Sequence, residues 1–137
     1  MSNNIYSVFT GTGSHIPTRK IRNEDFLSHE FYGKDGQRLS KSNQEIIDKF
    51  LEITTIAERR YTTDDMTTSD LAHIAAVEAI ESANIDPEEL DYIIVAHNFG
   101  DVYVGTIDVD MVPNLASRVK QKLGIKSPDC VAYDLPF

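Results

Sequence analysis

The residues of this 137-residue chain able to do nucleophilic, acid–base or metal chemistry include one cysteine, Cys130, and four histidines, His15, His29, His73 and His97. A cysteine nucleophile needs its thiolate stabilised by a helix N-terminus, a histidine or a cation. Cys130 instead precedes Val131-Ala132-Tyr133, which reads as the start of a buried strand, so an inert core residue is expected. The histidines are not spaced as a metal pair, and no cysteine or carboxylate cluster completes one. His97 follows the apolar run Tyr92–Ala96, at the carboxyl end of a strand. Ligands of α/β sheets gather at such ends, yet the reading for His97 is a satisfied structural histidine. Gly11-Thr12-Gly13 invites a dinucleotide-binding reading, but that fingerprint needs a third glycine where Ile16 stands, and Pro17 opposes a helix there.

The elements that must position these residues follow from local patterns. Ile5–Thr10 reads as a strand, broken by Gly11-Thr12-Gly13-Ser14, and Asn23 is a plausible N-cap for a short helix over Glu24–His29. Phe31–Ser42 reads as a surface loop. Ser42 with Glu45 forms a capping box ahead of the stripe Ile46, Ile47, Phe50, Leu51 and Ile53. Thr67 with Asp70 opens a second helix running to about Asn84, apolar on most sides and therefore expected to be buried. Asp86-Pro87 starts a brief turn, and Tyr92–Ala96 reads as a strand buried on both faces. Asn98–Asp110 reads as a loop, Pro113 begins a helix that Gly124 ends, and Val131–Tyr133 is a last buried strand. Alternating strands and helices predict an α/β fold with a mostly parallel sheet flanked by helices, and no boundary divides residues 1–137.

Composition narrows the function classes. The charged and apolar fractions are those of a globular protein. No apolar run approaches the roughly 20 residues of a membrane helix, so no membrane partner is expected. A net charge of -9 argues against nucleic acid as a partner. One cysteine allows no internal disulfide and fits a cytoplasmic location. Arg118, Lys120, Lys122 and Lys126 are the sustained basic cluster, read as a solvated helix face.

Several segments resemble, in order and spacing, β-ketoacyl-acyl-carrier-protein synthase III of the thiolase superfamily. Gly11-Thr12-Gly13-Ser14-His15-Ile16-Pro17 is similar to that family's Gly-x-Gly-Ser-Tyr-Leu-Pro turn. Val112-Pro113-Asn114 and Ala132-Tyr133-Asp134 resemble the helix and strand that approach its nucleophile. Phe50–Arg60 resembles Trp-Ile-x-x-Arg-Thr-Gly-Ile-x-x-Arg, with Thr55 and Arg60 matching. The resemblance implies a thiolase-like half that ends two residues short of the family's cysteine, without the family's later histidine and asparagine. No catalytic residue is then expected in this chain, nor condensing activity from it alone.

For the complete parent the resemblance implies a cytoplasmic homodimer that condenses an acyl starter with malonyl-acyl carrier protein, in fatty acid or polyketide-type biosynthesis. No permanently bound cofactor and no metal is implied; acyl-CoA or acyl-carrier protein is the substrate, and acyl carrier protein the partner. Phe50, Thr55 and Val112 are the implied substrate-binding positions. Phe50 and Thr54 replace the tryptophan and arginine that sandwich the coenzyme A adenine, a loss of about 1 kcal/mol of cation stacking. Val112 replaces a phenylalanine that caps the partner subunit's acyl pocket, which would admit a longer or bulkier acyl group. Leu135-Pro136-Phe137 departs from the family's small-residue lead-in. A hydroxymethylglutaryl-CoA synthase-like or aryl-chain polyketide enzyme, and a non-catalytic half-domain working with a partner chain, are the alternatives.

Overall fold

The computed structural model describes residues 5–137, which form two compact units. The first comprises residues 16–63. Strand β1 (Arg19–Arg22) pairs antiparallel with β2 (Glu58–Tyr61), Arg19 opposite Tyr61 and Arg22 opposite Glu58. Between them lie a 3₁₀ turn (Asn23–Phe26) and helix α1 (Asn43–Thr54). The capping box forms as expected: Ser42 Oγ accepts the Glu45 N–H at 3.3 Å, and Glu45 accepts the Ser42 N–H at 2.9 Å. Helix α1 buries Ile46 and Ile47 and closes on Thr55, a left-handed residue at φ 56°. Asn23 is no N-cap. It is buried, donates to the Ile56 carbonyl at 2.9 Å and accepts from Arg59 Nη1 at 2.7 Å. A buried amide is stable only when so satisfied.

The second unit comprises the described residues 5–15 together with 64–137. Its elements are α2 (Thr68–Ala83), β3 (Tyr92–His97), β4 (Asp101–Val102), β5 (Val109–Asp110), α3 (Leu115–Leu123) and β6 (Val131–Pro136). Thr67 caps α2, with its N–H held by Asp70 at 2.8 Å, and left-handed Asn84 ends it. Strands β3 and β6 pair in parallel, Tyr92 opposite Val131 through His97 opposite Pro136, and α3 packs against both and against α2. The core is Leu115, Ala116, Val119, Ile125 and Cys130. Asn114 caps α3 by accepting the Ser117 N–H at 2.8 Å, so this helix starts two residues later than Pro113. Gly124 ends it at φ 76°, where a side chain would be strained.

Several expectations are corrected here. Ile5–Thr10 has no strand geometry in the described residues, and Ile5 and Phe9 are 96% and 99% exposed. The parallel sheet of the expected α/β fold is present as β3–β6, and among the described residues the β1–β2 and β4–β5 pairs beside it are antiparallel. Strand β3 is not buried on both faces; Tyr92 and Ile94 lie exposed beside Val131, Tyr133 and Leu135 of β6. Helix α2 is half-buried along its apolar residues, with Ser69 its one fully buried residue. Residues 98–110 carry the β4–β5 hairpin rather than a plain loop. Gly11 and Gly13 press against α2: added Cβ atoms would sit 2.5 Å from the Ala79 carbonyl and 2.2 Å from the Ala75 carbonyl. Among the described residues no helix is long and apolar enough to cross a membrane.

Candidate functional site

Phe50 lies in an aromatic cavity of the 16–63 unit. Phe26, Phe31, Phe50, Arg59 and Tyr61 line about 260 Å³. Phe31 meets Phe50 edge to face at 5.6 Å, and the Arg59 guanidinium carbon stands 5.7 Å from the Phe26 ring centre. Because Arg59 also donates to buried Asn23, its head group is fixed rather than swinging in solvent. This is the residue that motif matching misses, since it points to neighbouring Arg60. Strand alternation is the signal that finds it: Arg59 and Tyr61 leave β2 on the same face, Arg60 on the other. Arg60 is occupied elsewhere, 3.6 Å from Glu58 and 3.4 Å from the Pro17 carbonyl.

Thr55 is exposed at the end of α1, where its Oγ1 donates to the Thr54 carbonyl at 2.7 Å. Val112, in the other unit, is 83% exposed and precedes Pro113 through a cis peptide bond.

A second constellation holds the β4–β5 hairpin. Asp101, 1% exposed, accepts the Ser69 N–H and Oγ–H at 2.8 Å each and Arg118 Nη1 at 3.1 Å. Arg118 Nη2 lies 2.8 Å from Asp110, an ion pair without an aligned hydrogen bond. Lys122 donates to Asp70 at 2.7 Å and, with the Thr67 bonds, holds that carboxyl down at about 2 against burial. Ser69, Asp70, Asp101, Arg118 and Lys122 line a polar cleft of about 330 Å³. Lys120 donates to the carbonyls of Ser127 and Cys130 at 2.7 Å each. Three of the four residues of the basic cluster are thus used internally.

A third constellation closes the carboxyl end of the parallel sheet. His97 Nε2 lies 2.9 Å from Asp134, whose carboxylate also accepts the Leu115 and Ala116 N–H groups at 2.8 Å. Burial raises the Asp134 carboxyl, but those N–H groups and His97 outweigh it and leave it below its ordinary value. Cys130 is buried at the opposite end of β6, with Val131 following it into the strand. Among the described residues no group of three or more histidine, cysteine or acidic side chains could hold a metal ion.

Charge divides unevenly between the units. Residues 16–63 carry nine basic and eight acidic residues; the rest of the chain carries four and fourteen. A fixed arginine among aromatic faces on the less acidic unit suits a flat, anionic ligand.

The parallel β3–α3–β6 unit with its glycine turn against α2 has the thiolase-like fold of condensing enzymes. Among solved structures it is similar to β-ketoacyl-acyl-carrier-protein synthase III from Thermus thermophilus, 29% identical over 96% of this chain and 33% of that one, TM-score 0.66. The 3-oxoacyl-acyl-carrier-protein synthase III of Aquifex aeolicus is 26% identical over 93% of this chain and 34% of that one, TM-score 0.60. The priming β-ketosynthase of the R1128 polyketide pathway is 22% identical over 94% and 32%, TM-score 0.64. No protein-family model matches the chain. It spans about a third of the length of these structures.

Proposed function

We propose that this chain is the N-terminal portion of a synthase III-like acyltransferase, which condenses an acyl starter with malonyl-acyl carrier protein. The observation that carries the reading is the 29% identity to the Thermus synthase across 96% of the chain. Catalysis in the whole enzyme proceeds by transfer of the acyl group to a protein thiol, which divides one difficult displacement into two easier ones. The chain's own part is substrate recognition and support of the sheet that presents the nucleophile. Phe50, with Phe31 and the fixed Arg59, receives the nucleotide end of an acyl-CoA starter. Arg59 supplies the cation that Thr54 lacks, which supports coenzyme A rather than a carrier protein as the donor at this cavity. Thr55 and Val112 contribute to the substrate and acyl sites, the smaller Val112 admitting a bulkier acyl group. The parent works as a cytoplasmic homodimer with acyl carrier protein as its partner.

The test is acyl transfer and condensation measured for the complete enzyme and for the 137-residue chain. The complete enzyme should turn over and the chain alone should not; condensation by the chain itself would refute the assignment of its chemistry. Arg59→Ala should weaken coenzyme A binding to the chain by about two- to thirty-fold, the span of a cation–aromatic contact of roughly 0.5–2 kcal/mol. Unchanged affinity by calorimetry would remove Arg59 from the site.

A second reading, a half-domain that works with a separate chain, is favoured by the exposed face of Tyr92, Ile94, Val131, Tyr133 and Leu135. Parallel sheets are stable with both faces covered. Co-purification with a chain that completes the fold would decide for it.

A further inference from the structure

The amide of Asn23 can be oriented in one way only. Its Nδ2 lies 2.9 Å from the Ile56 carbonyl and its Oδ1 lies 2.7 Å from Arg59 Nη1. A carbonyl only accepts and a guanidinium only donates, so the NH₂ group must face Ile56 and the oxygen must face Arg59. The Asn23 N–H adds a bond to the Ala57 carbonyl at 3.3 Å, and the residue is 6% exposed. Asn23 is thus locked onto the segment that carries Arg59, and Arg59 is locked onto Asn23. Arg59 is half-buried, and among the described residues no carboxylate is paired with it. Other cations of the chain are neutralised: Lys20 and Arg60 share Glu58, and Arg118 lies against Asp101 and Asp110. Asparagine holds the guanidinium as an aspartate would, but does not cancel its charge. That charge is left to the cavity of Phe26, Phe31, Phe50 and Tyr61. At about 260 Å³ the cavity is smaller than the roughly 300–1,000 Å³ of a site that encloses a drug-sized ligand, so it takes the ring end of a longer molecule.

We propose that Asn23 is a positioning residue that presents Arg59 to the aromatic cavity with its charge uncompensated, so that the cavity selects a planar ring carrying phosphate over an uncharged one. The inference rests on the coenzyme A reading of this cavity and adds to it the residue that keeps the cation available. A guanidinium held in one plane gives its remaining N–H donors a defined direction, which suits the paired oxygens of a phosphate. An aspartate in place of Asn23 would accept the same Nη1 donor as an ion pair, and a ligand phosphate would then meet a neutral couple. A purely structural Asn23 has no such preference. It needs only its bonds to Ile56 and Ala57, and the charge selectivity of the cavity would not depend on it.

Calorimetry of the 137-residue chain with adenosine diphosphate and with adenosine, at low and high salt, tests the proposal. The unaltered chain should bind the diphosphate about tenfold or more tighter than adenosine at low salt, and salt should narrow the gap. Asn23→Asp should weaken the diphosphate by about tenfold or more and leave adenosine within about threefold. Unchanged diphosphate affinity in that variant overturns the proposal. An equal loss for both probes also overturns it, because a merely structural residue would act that way. Should Asn23→Asp fail to fold, Arg59→Lys serves instead: it leaves the Asn23 bonds to Ile56 and Ala57 in place and keeps the charge, but not the planar fork. Diphosphate affinity should again fall about tenfold, and an unaltered value would show that charge without positioning suffices, which is fatal. If the unaltered chain binds neither probe, the coenzyme A reading of the cavity fails and this inference with it. If it binds the diphosphate and Asn23→Asp binds it equally, the inference alone fails.

Discussion

Between residues 16 and 63, nine cations sit among eight acids, and their partners are mostly exposed ion pairs such as Lys20–Glu58 and Arg38–Glu30. In the other unit four cations face fourteen acids, and the buried Asp101 and half-buried Asp134 are each held by three donors. The first arrangement contributes little to stability, because solvent screens exposed pairs. The second fixes geometry, because a charge withdrawn from water tolerates no lost partner. The two stretches thus differ in construction: an aromatic cavity with a fixed arginine in one, a stitched sheet end and hairpin in the other.

The sharpest way to break that contrast is Asp101→Ala, which strips Ser69 of its acceptor and leaves the Arg118 guanidinium to Asp110 and the Pro113 carbonyl. A loss of about 3–5 kcal/mol is expected in urea unfolding, as for removal of one partner from a buried pair; a loss below about 1 kcal/mol would show the hairpin anchor to be dispensable. Gly13→Ala comes next. Its new Cβ meets the backbone of α2 at 2.2 Å, so a flexible neighbour cannot yield, and about 1–3 kcal/mol should be lost. The chain end at Thr55 works the other way. A β-branched residue at φ 56° is strained, so Thr55→Gly should gain about 1 kcal/mol in α1 while weakening substrate binding if Thr55 belongs to the site. A gain in stability with unchanged substrate affinity would reduce Thr55 to a helix end.

Acid titration gives the smallest effect. Asp70 is held at about 2 by Lys122 in the folded state, below the ordinary 3.8 of an aspartate. Its folded value is the lower one, so its contribution is complete above the unfolded value. That contribution is lost as pH falls from there through about 2. Asp134 follows the same sign. Acid unfolding of Lys122→Met should therefore show a shallower slope in that window, and an identical slope would exclude the pair as its source.

Much of the fold was legible where a signal is local. The capping pairs Ser42–Glu45 and Thr67–Asp70, the stop at Gly124 and the strands beginning at Tyr92 and Val131 all appear where short-range chemistry puts them. Strands β1 and β2 escaped notice because Arg19-Lys20-Ile21-Arg22 and Glu58-Arg59-Arg60-Tyr61 carry almost no apolar alternation; their pairing is a tertiary fact. The same holds for Asn23, whose amide looks like a cap in sequence and proves to be a buried bracket for Arg59. Ile5–Thr10 has the composition of a strand, but a strand is defined by its pairing, and composition alone does not supply it. At the candidate site, Phe50 was visible through resemblance, whereas the ring of Phe26, Phe31 and Tyr61 around it depends on contacts between distant segments.

The carboxylate of Asp134 also anchors the first turn of α3. Amides in the first turn of a helix ordinarily have no intrahelical acceptor and exchange with solvent early. In α3 the amides of Leu115 and Ala116 are bonded to a strand, and that of Ser117 to the capping Asn114. In deuterium the beginning of this helix should exchange as slowly as β6 does, and α3 should fray from Leu123 backwards.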